Sequence, residues 1–284
     1  MIYAMTYGKV ENKIIDEKNK KTVAPGLGLR LFLAALITGV LFFAAGPPVF
    51  SSDDTDGLNN LTAAEIIEKM EANQTHSTSI IEGRMIITDR FGDRESTYIA
   101  HSEGADRFLV EFTSRDEAGQ KVLRREGSLY LYYPDARETI RLQGAALRDS
   151  LLGSDVSYED MTGGRGLDED YRFNLLGRER VGGHDAYKIE LEARGANVPY
   201  PKQIMWVDSS EFVLRKSEQY ARSGRLLKEL EVLETMTVNG LTFPSRIKIT
   251  DKTRRSSGTE MIIEEAEIGV DLPRNIFSLE ELTW

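Results

Sequence analysis

The sequence predicts an α+β domain that is mainly β: a strongly curved antiparallel sheet forming an unclosed β-barrel, with helices over its open side. Three observations predict it. From Thr78 to Val270 apolar residues alternate with polar ones in short runs bounded by Gly, Asp, Asn and Pro, the signature of strands joined by tight turns. No helix-length segment separates most of these runs, so consecutive strands pair as an antiparallel meander. Ten or eleven strands in one sheet tend to curl, and two helical segments, one before the strands and one among them, are placed to fill the open side.

The chain has 284 residues, 40% hydrophobic and 29% charged, with no cysteine and three histidines. That is globular composition. Without cysteine there is no disulfide framework, no thiolate nucleophile, no Cys-ligated zinc and no site for lipoprotein acylation. Residues 1–50 hold six Lys or Arg against three Asp or Glu, which leaves −13 of the net −10 to the rest of the chain. Within that segment Leu31 to Gly46 is uncharged and apolar, and Pro47-Pro48 and the polar run Ser51-Ser52-Asp53-Asp54 follow it. A basic stretch, an apolar stretch and a small-residue exit describe a secretory signal peptide. The alternative is an uncleaved membrane anchor. Sixteen helical residues, however, rise only about 24 Å against a hydrocarbon core of roughly 30 Å. We therefore read 1–52 as signal peptide and short linker, with cleavage between Ala45 and Ser52, and 53–284 as the folded domain. An acidic exported domain is a poor nucleic-acid binder, and its net charge disfavours adhesion to anionic lipid.

Leu61 to Asn73 is the clear amphipathic helix. Thr62 and Glu65 have capping-box spacing, and Ile66, Ile67 and Met70 form an apolar stripe. Strands follow around Ile81, Met85 and Ile87, then Phe108, Val110 and Phe112, then Leu129, Leu131 and Tyr133, then Ile140 and Leu142. Leu151 to Met161 breaks this period. Ser157 is placed to cap a short helix, Glu159 and Asp160 put negative charge on its first turn, and Val156 and Met161 have the spacing of a hydrophobic staple. A short helix interrupting a run of strands must lie on their sheet, and we read it as a lid. Gly163 to Gly166 lacks a preceding strand and a following Lys-Ser/Thr, so it reads as a hinge and not a phosphate loop. Further strands are expected at 171–180, 187–191, 202–208, 212–220, 226–236, 241–249 and 261–270. Val181-Gly182-Gly183-His184-Asp185 and Asn239-Gly240 read as hairpin turns. Residues 275–284 form a closing helix or arm.

Little points to catalysis. His76, His101 and His184 are isolated from one another and from any metal-ligand pattern, and read as surface residues. There is no G-x-S-x-G elbow, and Asp168-Glu169-Asp170 reads as a solvated charge run. No cofactor or metal is expected. A carboxylate pair assembled by folding stays open, as in a glycosidase. What remains is an apolar strand inventory: Met85, Ile87, Phe108, Val110, Phe112, Leu129, Leu131, Ile204, Trp206, Phe212, Leu214, Phe243 and Ile247. An ordinary packed core is one account of it. A curled sheet of this many strands also encloses space, and with a lid of Leu151, Leu152, Val156, Tyr158 and Met161 these residues would line a lipid-binding cavity.

Gly153-Ser154-Asp155-Val156-Ser157-Tyr158-Glu159-Asp160-Met161 resembles the G-S-D-[FV]-S-Y-E-D-[LM] hallmark of outer-membrane lipoprotein-sorting proteins, periplasmic relatives of the LolA and LolB lipoprotein carriers. Leu129-Tyr130-Leu131-Tyr132-Tyr133-Pro134 and Trp206-Val207-Asp208 are similar to two further strands of those carriers. The similarity spans Leu61 to Trp284. The resemblance implies a LolA-like unclosed barrel with a helical lid, no catalytic residues, and a monomer that binds an acylated lipoprotein or lipid. Its partners would be an inner-membrane exporter or an outer-membrane receptor. It also implies an arginine that latches the lid, for which Arg84, Arg141 and Arg148 are the candidates. The alternative it carries is a non-catalytic adaptor in an envelope lipid export complex of the resistance-nodulation-division type, with a filled core.

Overall fold

The computed structural model describes residues 61–162, 166–196 and 198–283. The expected signal peptide and linker, and Gly163 to Arg165 of the expected hinge, lie outside the described residues. The first helix, α1 (Ala63–Gln74), begins as the sequence predicts. The Glu65 amide donates to the Thr62 hydroxyl and the Thr62 amide to the Glu65 carboxylate, so both halves of the capping box form. Its stripe of Ala63, Ile66, Ile67 and Met70 is buried.

Six strands follow: β1 (Ser79–Asp89), β2 (Gly92–Glu103), β3 (Arg107–Phe112), β4 (Lys121–Arg125), β5 (Ser128–Tyr133) and β6 (Glu138–Leu142). Two 3-10 turns (Gly144–Arg148 and Leu151–Gly153) and two short helices, α2 (Tyr158–Thr162) and α3 (Leu167–Asp170), then lead to the second series. That series is β7 (Tyr171–Val181), β8 (His184–Ala193), β9 (Lys202–Asp208), β10 (Leu214–Tyr220), β11 (Leu226–Val238), β12 (Leu241–Asp251) and β13 (Gly258–Ile268). All thirteen join one antiparallel sheet in the order β6-β5-β4-β3-β2-β1-β13-β12-β11-β10-β9-β8-β7. The two meanders meet where β1 pairs with β13, and β6 and β7 remain as separate edges, so the barrel is not closed.

Two strands exceed the sequence expectation. β2 opens on the polar run Gly92-Asp93-Arg94-Glu95-Ser96-Thr97, and β4 is five residues long with three of them charged; neither shows the alternation that marks its neighbours. Pairing on both sides makes strands of them. Both expected hairpin turns form, the first narrowed from the five residues read from sequence to two. Gly182 and Gly183 join β7 to β8, and Asn239 and Gly240 join β11 to β12, all four with positive φ as a type I′ turn requires.

One face of the sheet is covered in two parts. The lid segment packs against β1 to β5 and β11 to β13, whereas α1 packs against the β7 to β10 side; Leu230 of β11 touches both clusters. On the opposite face Leu109, Leu123 and Tyr132 are covered by Phe277 and Leu282 of the C-terminal arm, which ends in a 3-10 turn at Glu281–Thr283. Gly83 marks the tightest approach within the sheet. A Cβ there would stand 2.6 Å from the Ile262 carbonyl oxygen and 2.8 Å from the Tyr98 hydroxyl, at the point where the β1–β13 register shifts.

Candidate functional site: an apolar face under a latched lid

The lid is built locally before it is fastened. The Ser157 hydroxyl accepts from the Asp160 amide at 3.1 Å, and the Asp160 carboxylate accepts from the Ser157 amide at 3.0 Å. These are the reciprocal bonds of a capping box, closed here by Asp. Upstream, the Leu151 amide donates to the Val156 carbonyl at 2.8 Å and Ser150 pairs with Ser157, so residues 150–157 close on themselves. Leu152 and Gly153 both take positive φ (51° and 70°) to make this loop. Leucine rarely adopts that conformation. The Arg94 guanidinium, donating to the Leu152 carbonyl, helps hold it.

The loop turns its apolar side chains into the sheet. Leu151 and Val156 are fully buried, Tyr158 and Met161 nearly so, and Leu152 packs partly buried at the margin. They meet Met85, Ile87, Val110, Phe112, Leu129 and Leu131, with Phe108 and Ile247 at the periphery. Eight of the thirteen apolar strand residues singled out from sequence thus face the lid. Tyr98, Ala100, Val122 and Ile249 complete the cluster and were missed, the first three because they lie on β2 and β4.

The remaining five lie elsewhere. Phe212 and Leu214 pack in the α1 cluster with Ile189, Leu191, Met205 and Val207. Phe212 has positive φ and precedes β10; its ring stacks on Tyr187, with Lys69 of α1 above it. Phe243 is buried against the His76 ring. Ile204 and Trp206 sit on the opposite face with Ala186. The run Ile204-Met205-Trp206-Val207 is buried throughout, so alternation could not say which pair faces inward. On that far face Lys188 and Lys216 both lie about 5 Å from the centre of the Trp206 ring.

Polar contacts around the rim fasten the lid. Arg254 donates to the Gly153 carbonyl (2.8 Å), the Ser154 carbonyl (2.5 Å) and the Asp155 carboxylate (3.0 Å). Asp155 accepts also from the Asp251 amide, and its own amide donates to the Thr259 hydroxyl at 2.9 Å. Lys228 of β11 pairs with Asp160, and Arg124 of β4 donates to the Thr162 hydroxyl at 3.2 Å. These last two contacts require the curvature expected from sequence. β4 and β11 lie six strand steps apart, about 29 Å in a flat sheet at roughly 4.8 Å per step. The five residues of α2 span only about 7.5 Å. The sheet must wrap around this helix for both side chains to reach it.

None of the three arginines considered as latch holds the lid from the sheet. Arg84 pairs with Glu95 and Glu264, Arg141 donates to the Ser128 hydroxyl, and Arg148 ends the 3-10 turn that precedes the lid, off the sheet. Arg254 and Arg94 bind the lid backbone directly. Burial raises the Glu159 carboxyl above its ordinary range, against the opposing pull of Arg124, and burial likewise raises the Tyr158 and Tyr200 hydroxyls.

The histidines differ from one another. His184 is exposed and its Nδ1 lies 3.2 Å from Asp208; His101 is half-buried. His76 corrects the surface expectation, because the chain leaving α1 carries it beneath Phe243, where burial lowers its pKa. Among the described residues no group of three His, Asp or Glu is placed to hold a metal ion. No helix among them is long and apolar enough to cross a membrane.

Solved structures share this unclosed antiparallel fold, a member of the LolA superfamily among them. A LolA-superfamily protein from Nitrosomonas europaea is 26% identical, with 78% of this chain and 100% of that one covered and a TM-score of 0.66. A provisionally named outer membrane lipoprotein-sorting protein domain from Vibrio parahaemolyticus is 24% identical over 78% of this chain and 98% of its own, with a TM-score of 0.71. A DUF1329-family protein from Desulfovibrio piger is 22% identical over 78% and 97%, with a TM-score of 0.72. No curated protein matches in sequence. A family model described as "Uncharacterized protein" matches residues 104–284, and the chain belongs to that family.

Proposed function

We propose that the chain is a non-catalytic periplasmic carrier that shields the acyl chains of a lipoprotein or lipid beneath its lid during transfer to the outer membrane. The observation that supports this is the division of labour in the lid. Its apolar side chains cover an apolar sheet face, whereas polar contacts at its rim hold it there. Displacing such a lid exposes apolar surface without dismantling the sheet. An acyl chain of about fifteen carbons loses roughly 12 kcal/mol of apolar burial on leaving a membrane, at about 0.8 kcal/mol per CH₂. The sheet face vacated by Leu151, Val156, Tyr158 and Met161 would replace that burial. Release then needs a receiver that favours the open lid.

A second reading, an adaptor module of a lipid export complex of the resistance-nodulation-division type, draws on the inner face being packed with the protein's own side chains. A fluorescent fatty-acid probe separates the two. The carrier binds it saturably and Leu131→Asp, a charge set in the centre of the apolar face, abolishes binding while the sheet still folds. Equal binding by Leu131→Asp and wild type would sink the carrier reading.

A further inference from the structure

The turns at the two ends of the sheet differ in charge. In an antiparallel meander the connections alternate between ends, so half of them gather at each. At the end where β2, β4, β6, β9, β11 and β13 begin, the six connections hold nine Lys or Arg against three Asp or Glu. The five hairpin connections at the other end hold three Asp or Glu and no Lys or Arg. Arg222, Arg225, Lys252 and Arg255 are all exposed, and the Lys252 amide, donating to Leu227, sets their two loops side by side. Arg254, which latches the lid, belongs to the same loop, so the basic end carries this fastening of the lid.

At this end one large apolar side chain stands bare. Phe91, at the tip of the β1–β2 hairpin, is 82% exposed, with the Arg90 guanidinium 4.5 Å from its ring centre. An exposed ring backed by arginine is the amphipathic pairing suited to a headgroup layer.

We infer that this end docks on the anionic surface of a phospholipid bilayer, with Phe91 entering the interface and Arg222, Arg225 and Arg255 facing the headgroups. The inference deepens the carrier reading and rests on it, since it says where the lid opens and onto what. The net charge of the chain argues the other way only as an average. At physiological salt a surface feels charges within about 8 Å, and Arg222, Arg225 and Arg255 stand exposed on the turn tips themselves, whereas Asp89 and Asp93 flank Phe91 within their own hairpin. The exposed positive groups of these two neighbouring turns stand on convex tips and line no groove. That arrangement matches a broad, laterally uniform anionic surface better than a single acidic peptide.

Co-sedimentation of the soluble form recovered from cells with phosphatidylcholine vesicles, with and without phosphatidylglycerol, tests it. Binding is expected only with phosphatidylglycerol, weakening as salt rises. Combined Arg222→Glu, Arg225→Glu and Arg255→Glu should lower it by at least about 100-fold at low salt, and Phe91→Ser by about tenfold. Both variants should melt with wild type and keep fatty-acid probe uptake, since none of these residues touches the inner face. Binding indifferent to phosphatidylglycerol, or unchanged in both variants, overturns the inference and leaves an acidic protein face as the occupant. Vesicle binding as expected, with no probe uptake by wild type, would instead count against the carrier reading.

Discussion

Asp155 and Arg254 stand 3.0 Å apart across the edge of the lid, with the carboxylate 1% exposed and the guanidinium 35% exposed. A sealed charge facing a half-open one makes a strong but reversible fastening, because water can reach the cation when the lid lifts. Replacing only the cation leaves a buried carboxylate without its partner, which is the costly way to break such a pair. Arg254→Ala should therefore weaken lid closure by about 2 kcal/mol, or roughly 30-fold in local opening. Hydrogen exchange should quicken at residues 151–162 and stay slow in β1 and β13. Uniform acceleration through the sheet would mean that Arg254 supports the whole fold and not the lid.

Asp160 and Lys228 tie α2 to β11, and the ring of Tyr200 lies near both, its hydroxyl donating to Asp160 at 3.3 Å. A double-mutant cycle with Asp160→Ala and Lys228→Ala should return a coupling energy of about 1 kcal/mol or more, because the pair is largely buried. A coupling indistinguishable from zero would place the contact among exposed surface pairs of no consequence.

Gly83→Ala should destabilise the domain by about 1–3 kcal/mol, since the new methyl meets a carbonyl oxygen on one side and the Tyr98 ring on the other. Thermal unfolding measures it. A melting temperature equal to wild type would show that the β1–β13 bulge yields more readily than its close packing suggests.

Acid sensitivity should fall in two windows of pH. Burial works against the Asp208 charge, but the Ser210 hydroxyl, the Glu211 and Ser210 amides and Arg215 outweigh it and hold the carboxyl at about 2, below the usual 3.8. Its charged form therefore stabilises the fold by about 2 kcal/mol above pH 4, a contribution lost as the pH falls toward 2. His76 acts at higher pH. Burial lowers its pKa below the usual 6.5, so the unfolded chain takes up the proton more readily and stability declines as the pH falls through that value. Urea titrations across pH should lose the first slope in Asp208→Asn and the second in His76→Phe, each variant leaving the other slope in place.

How much of this was legible in the sequence follows the range of the interactions. The α1 cap, the Ser157 cap, the two hairpin turns and the inward residues of β1, β3 and β5 depend on neighbours within a few positions, and their patterns stand in the sequence. Curvature followed from strand number. The lid fastening did not: Arg254 meets Asp155 across 99 residues and Lys228 meets Asp160 across 68, and no local pattern marks either cation. Ile204 and Trp206 were assigned to the inner face because β9 is buried on both sides, which removes the contrast that alternation needs. β2 was missed for a related reason, its inward positions being filled by Ser96, Tyr98 and Ala100 in place of large aliphatics.

Lipid mass spectrometry of an extract of the protein, recovered from its native envelope in soluble form, tests the carrier reading most directly. The account predicts an acylated species in stoichiometric amount, displaced by excess fatty-acid probe. An extract without lipid, from protein that also takes up no probe, would contradict it and leave the packed inner face as the core of an adaptor.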